Sequence, residues 1–292
     1  MSLAISYALF GYDRDRAENC FDFNSYLRGL MLCLRFNRLI YPQAQSVLNT
    51  DHATYHAFEP LFKYLEDRNI LKVHQNPNGA QLCEAMLWRL KPIYRGGYTH
   101  VLCRDLDSVS TYRERQAVQY WVDQKTKAAH AITDSVSHDL PMLGGMIGFM
   151  PEHFTTRTGA KDYGSLINLK RMDFSAKGSD QLFLNQAIYP LFADKGSDSI
   201  TQHYFNGHGN TFLSDFHTCT CPPPSGHRSD CPNNYSIDLP EEMKESNSVC
   251  GHIGASGWYE TATFKFLRKY QDKFIDLTEI EKQYPKIFYW NT

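Results

Sequence analysis

Over its first hundred residues the chain alternates short apolar runs with stretches of helical periodicity, and this alternation narrows the fold more than any other feature. Ile5 to Phe10, closed by Gly11, reads as a strand. Tyr26, Leu27, Leu30, Met31 and Leu34 then recur at helical spacing until Pro42. Ser46 to Asn49 reads as a second strand, Ala57 to Arg68 as a helix, and Ile70 to Val73 as a third strand. Ala80 to Leu90 reads as a helix ending before Pro92, and Tyr98 to Cys103 as an apolar strand running into Arg104-Asp105-Leu106-Asp107-Ser108. An order of β-α-β-α-β-α-β predicts an α/β fold with a mostly parallel central sheet flanked by helices. In such sheets, ligands bind beyond the carboxyl ends of the strands.

Further along, Tyr112 to Gln124 reads as a helix, Lys127 to Ile132 as a strand, Met142 to Met150 as a glycine-punctuated apolar segment, and Asp180 to Ile188 as a helix. Regular periodicity fades between Thr201 and Val249, and a last helix spans Tyr259 to Lys269. We read residues 1–292 as a single catalytic domain, with a nucleotide-binding half over 1–110 and a sugar and acceptor half over 111–292 that includes the loop-rich 201–250. With 30 basic and 32 acidic residues the net charge is -2, so no global basic field marks a protein that binds nucleic acid by charge alone. Neither a signal-peptide pattern nor a transmembrane run is visible, because Arg28, Arg35 and Arg38 interrupt the most apolar stretch; a cytoplasmic protein is expected, within a bacterial host cell if the source is viral.

Asp105 and Asp107 stand two residues apart, so on extended backbone both carboxylates project from one side while Leu106 turns to the other. Two hard oxygen donors can hold Mg²⁺ or Mn²⁺ and leave coordination positions for phosphate oxygens. A cation so placed stabilises charge growing on a diphosphate leaving group. Arg104 is expected to add a bidentate phosphate contact. Asp-x-Asp by itself is also a common solvated turn; its place directly after an apolar strand is what favours chemistry.

The run Cys103-Arg104-Asp105-Leu106-Asp107-Ser108, with Arg113-Glu114, Val118-Gln119-Tyr120-Trp121, His130, Asp134, His138 and Met142-Leu143-Gly144-Gly145-Met146-Ile147-Gly148, resembles a bacterial and viral family of nucleotide-diphosphosugar transferases of the GT-A type. It departs from that family at Thr133, where an Arg is usual, and at Ile147, where a Trp is. The resemblance covers the middle of the chain. It implies a GT-A-like, Rossmann-type domain that uses a nucleotide-diphosphate sugar as donor, with Gly144 and Gly145 lining the sugar site and His138 contacting sugar or phosphate. Gly144, Gly145 and Gly148 can also adopt positive φ or admit close approach to their backbone; a bend in a buried strand is the competing reading.

Asp180-Gln181 opens a helix, with Ser179 or Asp180 as the expected N-cap. The pair also resembles one in retaining GT-A enzymes such as the glycogenin-like galactosyltransferases. That likeness implies that Asp180 accepts sugar hydroxyls and Gln181 stabilises positive charge at the anomeric carbon. In an inverting enzyme Asp180 would instead be the general base. His252, in Cys250-Gly251-His252-Ile253-Gly254, resembles the late segment from which several GT-A families draw a third metal ligand, and an imidazole favours Mn²⁺ over Mg²⁺. Cys219, Cys221, Cys231 and Cys250 offer soft ligands for a structural Zn²⁺, although their spacing is not a paired Cys-x-x-Cys pattern.

The expected activity is transfer of a sugar to an acceptor hydroxyl, on a saccharide or on a hydroxymethylated base in viral DNA, which would have to leave the base stack. Rival readings are a metal-dependent nucleotidyltransferase or phosphohydrolase, although no GxxxxGK[ST] loop is present, and a zinc-bearing nucleic-acid-binding protein.

Overall fold

The structure, a computed structural model, describes residues 2–12, 23–133, 140–193, 199–205, 216–219, 245–246 and 260–288. Its strands are β1 (Leu3–Ala8), β2 (Gln45–Asp51), β3 (Leu71–Asn76), β4 (His100–Arg104), β5 (Ala129–Thr133), β6 (Met146–Phe149), β7 (Ile200–Phe205) and β8 (Phe216–Cys219). They form one sheet in the order β3-β2-β1-β4-β6-β5-β7-β8. The β3-β2-β1-β4 half is entirely parallel, as the alternation predicts. Beyond it, β6 runs antiparallel to both β4 and β5, while β7 is parallel to β5. The chain winds outward from β1 to β3 and returns to β4 on the other side of β1. That reversal leaves a crevice at the carboxyl ends of β1 and β4, the topological switch point where α/β sheets bind ligands.

Both faces of the sheet are covered, which explains why its central strands read as continuous apolar runs. On one face lie α1 (Phe23–Ile40), α2 (His52–Ala57), α3 (Glu59–Asp67) and α5 (Tyr112–Asp123), packed with Leu102, Phe266 and Leu277. The other face carries α4 (Leu82–Met86) and the 3₁₀ helix Leu87–Tyr94, α6 (Pro151–Thr158), α7 (Tyr163–Ile167), α8 (Ser179–Phe183) with the π-turn Leu184–Ile188, and α9 (Tyr189–Ala193). Two C-terminal helices follow, α10 (Glu260–Lys269) and α11 (Thr278–Glu281). Arg35 of α1 clamps α11 through Glu281 with two bonds of 2.7 and 2.9 Å.

Several boundaries differ from the sequence reading, each for a local reason. The single helix expected from Ala57 to Arg68 is two, because Phe58 leaves helical geometry (φ -124°, ψ 23°) and Pro60 starts the second. Helical turns continue beyond Pro92 in the tighter 3₁₀ form, where its carbonyl accepts the Arg95 N–H at 3.2 Å. The region read as loop-rich begins with a strand, β7, registered residue for residue on β5 from Ala129–Ile200 to Thr133–Tyr204. Among the described residues, no helix is long and apolar enough to cross a membrane.

Candidate active site

Asp105 directly follows β4 and opens the turn that carries Asp107. The antiparallel register of β4 on β6 pairs Leu102 with Gly148 and Arg104 with Met146. Continued by one residue, it brings Asp105 over Gly145. A Cβ built on Gly145 would overlap the Oδ2 and Cγ atoms of Asp105, so at this position only glycine lets the carboxylate lie against the backbone. None of Gly144, Gly145 and Gly148 is among the glycines with positive φ. Close approach, not backbone conformation, accounts for the glycine run: a Cβ on Gly144 would sit 3.1 Å from Arg89 Nη2, and one on Gly148 2.8 Å from Leu102 Cδ2 in the core.

Asp107 is partly buried, and its carboxyl is pushed up to about 6, first by burial and then by the negative charge of Asp105. The two carboxylates therefore share one electrostatic environment. Cys33 of α1, fully buried, places its Sγ 3.3 Å from the Ser108 carbonyl and within 4.0 Å of the Asp105 and Leu106 carbonyls, which fastens the turn to the helix beneath it. Burial, and then the charge of Asp107, raise this thiol and keep it protonated.

Asp180 joins the same site. Its helix begins after Gly178 at φ 86°, so Gly178 is the N-cap rather than Ser179 or Asp180, and the Ser179 hydroxyl donates to the Ala176 carbonyl at 2.8 Å. Freed from capping, Asp180 points inward, where its side chain is 2% exposed and lies 3.7 Å from Arg89 Nη2. Burial raises its carboxyl, partly offset by Arg89. Gln181 Oε1 accepts the Gly144 N–H at 3.0 Å. One turn later Asn185 closes a two-bond clamp on Met142, at 2.9 Å from the Met142 N–H and 2.7 Å to its carbonyl. The segment leading into β6 is thus held against α8.

The residue that unites these groups is Arg89, which the sequence reading passed over. It stands at the start of the 3₁₀ helix with only 4% of its side chain exposed, donates Nη1 to Asp105 Oδ1 and faces Asp180. Nε donates to the Met86 carbonyl at 2.7 Å. Burial works against its charge, but Asp105 and Asp180 together hold its pKa above the ordinary value. The signal in the sequence was a basic residue flanked by Leu87, Trp88 and Leu90, in an apolar run where an unpaired charge would be costly.

Arg104 takes none of that role. Adjacent strand residues project to opposite faces, so Arg104 points away from Asp105 and into the core. There it donates Nε to Glu114 Oε1 at 2.8 Å and Nη1 to the Cys103 and Ile147 carbonyls at 2.8 and 3.0 Å. Tyr41 donates its hydroxyl to the same Glu114 oxygen at 3.0 Å. Arg104 ties β4 to β6 and α5, and the phosphate contact expected of it is not geometrically open.

Asp134, His138, His252, Cys221, Cys231 and Cys250 lie outside the described residues, as does the side chain of Cys219. Among the described residues no group of three or more His, Cys, Asp or Glu side chains is arranged to hold a metal. Asp105 and Asp107 nevertheless suit a hard divalent cation. Asp105 is 41% exposed and offers Oδ2 beyond the Arg89 contact, and Asp107 carries charge that no cation pairs within the described residues. Two carboxylates completed by water or phosphate oxygens are a usual Mg²⁺ or Mn²⁺ environment. No protein-family model matches the chain, and no curated protein matches its sequence.

Proposed function

We propose that this protein is a metal-dependent glycosyltransferase that moves a sugar from a nucleotide-diphosphate sugar to an acceptor hydroxyl. The observation that carries this reading is the convergence of Asp105, Asp180, Gln181 and the Gly144–Gly145 backbone around one buried guanidinium at the switch point of a parallel half-sheet. Asp105 and Asp107 would hold Mn²⁺ or Mg²⁺, which when bound neutralises charge on the departing diphosphate. Arg89 supplies a fixed positive charge at the same place and cannot lose it at physiological pH.

Gly144 and Gly145 let Asp105, Arg89 and Gln181 pack directly on the backbone, and together these groups would form one wall of the donor-sugar site. Gln181, fixed by its bond to Gly144, presents an amide dipole in that wall, the kind of preorganised group that stabilises developing charge without reorganising. Asp180 is almost closed off and already engaged by Arg89, which suits it to orient a sugar hydroxyl or the guanidinium rather than to take a proton from an incoming acceptor. A retaining outcome is therefore preferred. The acceptor is a hydroxyl of a saccharide or of a hydroxymethylated base in DNA.

A panel of UDP-, GDP- and CMP-sugars incubated with and without Mn²⁺ tests the reading. Release of free sugar or transfer to acceptor with at least one donor, dependent on the metal, is the expected result. Cleavage of nucleoside triphosphates with no action on any nucleotide sugar would move the site to the nucleotidyltransferase or phosphohydrolase class.

A further inference from the structure

A second polar cluster, outside the group around Arg89, links the 3₁₀ helix to β2 and the edge strand β3. Parallel register places His74 beside Asn49 and Asn76 beside Asp51, so Asn49, His74 and Asn76 share the face that the 3₁₀ helix covers. Two cations of that helix come down on either side of His74. Lys91 donates Nζ to Asn76 Oδ1, and Arg95 donates Nη1 to Asn49 Oδ1 at 3.4 Å. Residues 74 and 76 of one strand stand roughly 7 Å apart, and the two bonds hold one cation at Asn76 and the other at Asn49, the cross-strand neighbour of His74. Lys72, also on β3 and two residues before His74, adds positive charge at the open end.

None of Lys72, Lys91 and Arg95 forms an ion pair with a carboxylate among the described residues. Glu84 acts on Lys91 only from beyond ion-pair distance. His74 Nε2 is buried without a hydrogen-bond partner. Burial and then the charge of Arg95 lower Lys91 to about 8, and burial, then Arg95 and Lys72, lower His74 to about 4. Lys91 also lies over the Tyr163 and Trp88 rings, at 4.5 and 5.2 Å, but rings and amides do not neutralise its charge or that of Arg95, and an oxyanion is the species that would.

We infer that Lys91, Arg95 and His74 form an anion site for a phosphate or diphosphate group, separate from the carboxylate site at Asp105 and Asp107. The oxyanion would accept from the Lys91 ammonium, the Arg95 guanidinium and His74 Nε2, with Asn49 and Asn76 holding the two cations in place. This inference does not depend on the glycosyltransferase reading.

Calorimetric titration of the metal-free protein, in EDTA, with inorganic phosphate and with pyrophosphate against sodium chloride of equal ionic strength provides the test. Saturable binding is expected, weakened roughly tenfold by Lys91→Met and by Arg95→Met, since each removes one charge-assisted bond. Lys91→Gln, which keeps a hydrogen-bond donor toward Asn76, serves if the methionine variant does not fold. Lys63→Met, a distant exposed lysine, should leave affinity unchanged. Binding that persists in Asp107→Asn separates this site from the carboxylate site. No saturable binding by the wild type at 10-fold the concentrations tested for a typical millimolar oxyanion site (about 10 mM), or binding indifferent to both cation variants, overturns the inference.

Discussion

Substituting Gly145 by alanine should uncouple the carboxylate site from its supporting guanidinium. The new methyl group would occupy the space now filled by the Asp105 carboxylate. Asp105 is the part able to move, being 41% exposed, so it should swing toward solvent and release Arg89. A hydrogen bond between charged partners contributes about 1.5–3 kcal/mol, and the exposure of Asp105 argues for the lower end. Arg89 keeps Asp180 at 3.7 Å, so the larger penalty for a wholly unpaired buried charge does not apply. A loss of about 1.5–2 kcal/mol corresponds to a melting point lower by about 3–8 °C. Mn²⁺ affinity should fall at the same time, because Asp105 leaves its place beside Asp107. Scanning calorimetry and Mn²⁺ titration followed by electron paramagnetic resonance measure the two effects. Gly144→Ala and Gly148→Ala are the controls. The first meets only the movable ends of Arg89 and Gln181 and should be mild. The second crowds Leu102 and Trp121 and should destabilise by about 1–3 kcal/mol with Mn²⁺ affinity preserved. If Gly145→Ala matches the wild type in both stability and Mn²⁺ affinity, the packing of Asp105 on Gly145 does not hold the site together.

Other outcomes follow from the same geometry. Arg89→Met should cost about 3–5 kcal/mol by leaving Asp180 buried without its cation, and Asp180→Asn in the same chain should recover most of that loss in a denaturant titration. Gln181→Ala, which removes the acceptor for the Gly144 N–H, should lower kcat by about 10²-fold or more while leaving the melting point within about 3 °C. Stability should fall on acidification: His130, with both ring nitrogens buried and unpartnered, is held well below 6.5 by burial and then His203, and burial alone lowers His203 to about 3. Their folded pKa values lie below the unfolded one, so their contribution is complete above about pH 6.5 and is lost as pH falls below it. Each should cost about 1.4 kcal/mol at pH 5.5, about 3 kcal/mol together; His74 and His100, partly buried and each lowered to about 4, add to the loss, and Asp107, raised to about 6, returns roughly 1 kcal/mol. Urea titrations at pH 7.5 and 5.5 check this, and His130→Phe should reduce the difference; equal stability at both pH values would contradict it.

The parallel half of the sheet was legible because strands buried on both faces carry short continuous apolar runs, Leu3 to Ile5 in β1, Val47 and Leu48 in β2 and Val101 to Cys103 in β4. Its neighbour β6 was not, since Met146–Phe149 is too short to show a period and its antiparallel direction is set by its pairing with β4 and β5. Asp105 stood out because a charge directly after a buried strand has few structural uses. Arg104 drew attention for the same reason, yet the alternation of strand side chains already turns it away from Asp105, toward the buried Glu114 that neutralises it. Arg89 was hidden by distance, sixteen residues from Asp105 in the chain and brought to it only by the crossover from β3 to β4. The Asp180-Gln181 pair was visible as a motif. Its partners, Arg89 and Gly144, are tertiary neighbours that no local pattern announces.

We propose that Asp105 and Asp107 serve a metal that acts on a nucleotide sugar, and the most telling test is the rate of nucleotide diphosphate release from the preferred donor as Mn²⁺ is raised, compared between wild type and Asp107→Asn. Saturable, Mn²⁺-dependent release by the wild type is expected, with a loss of about 10³-fold or more in the variant and its melting point retained. Release that is independent of added Mn²⁺ after chelation, or that survives intact in Asp107→Asn, would contradict it.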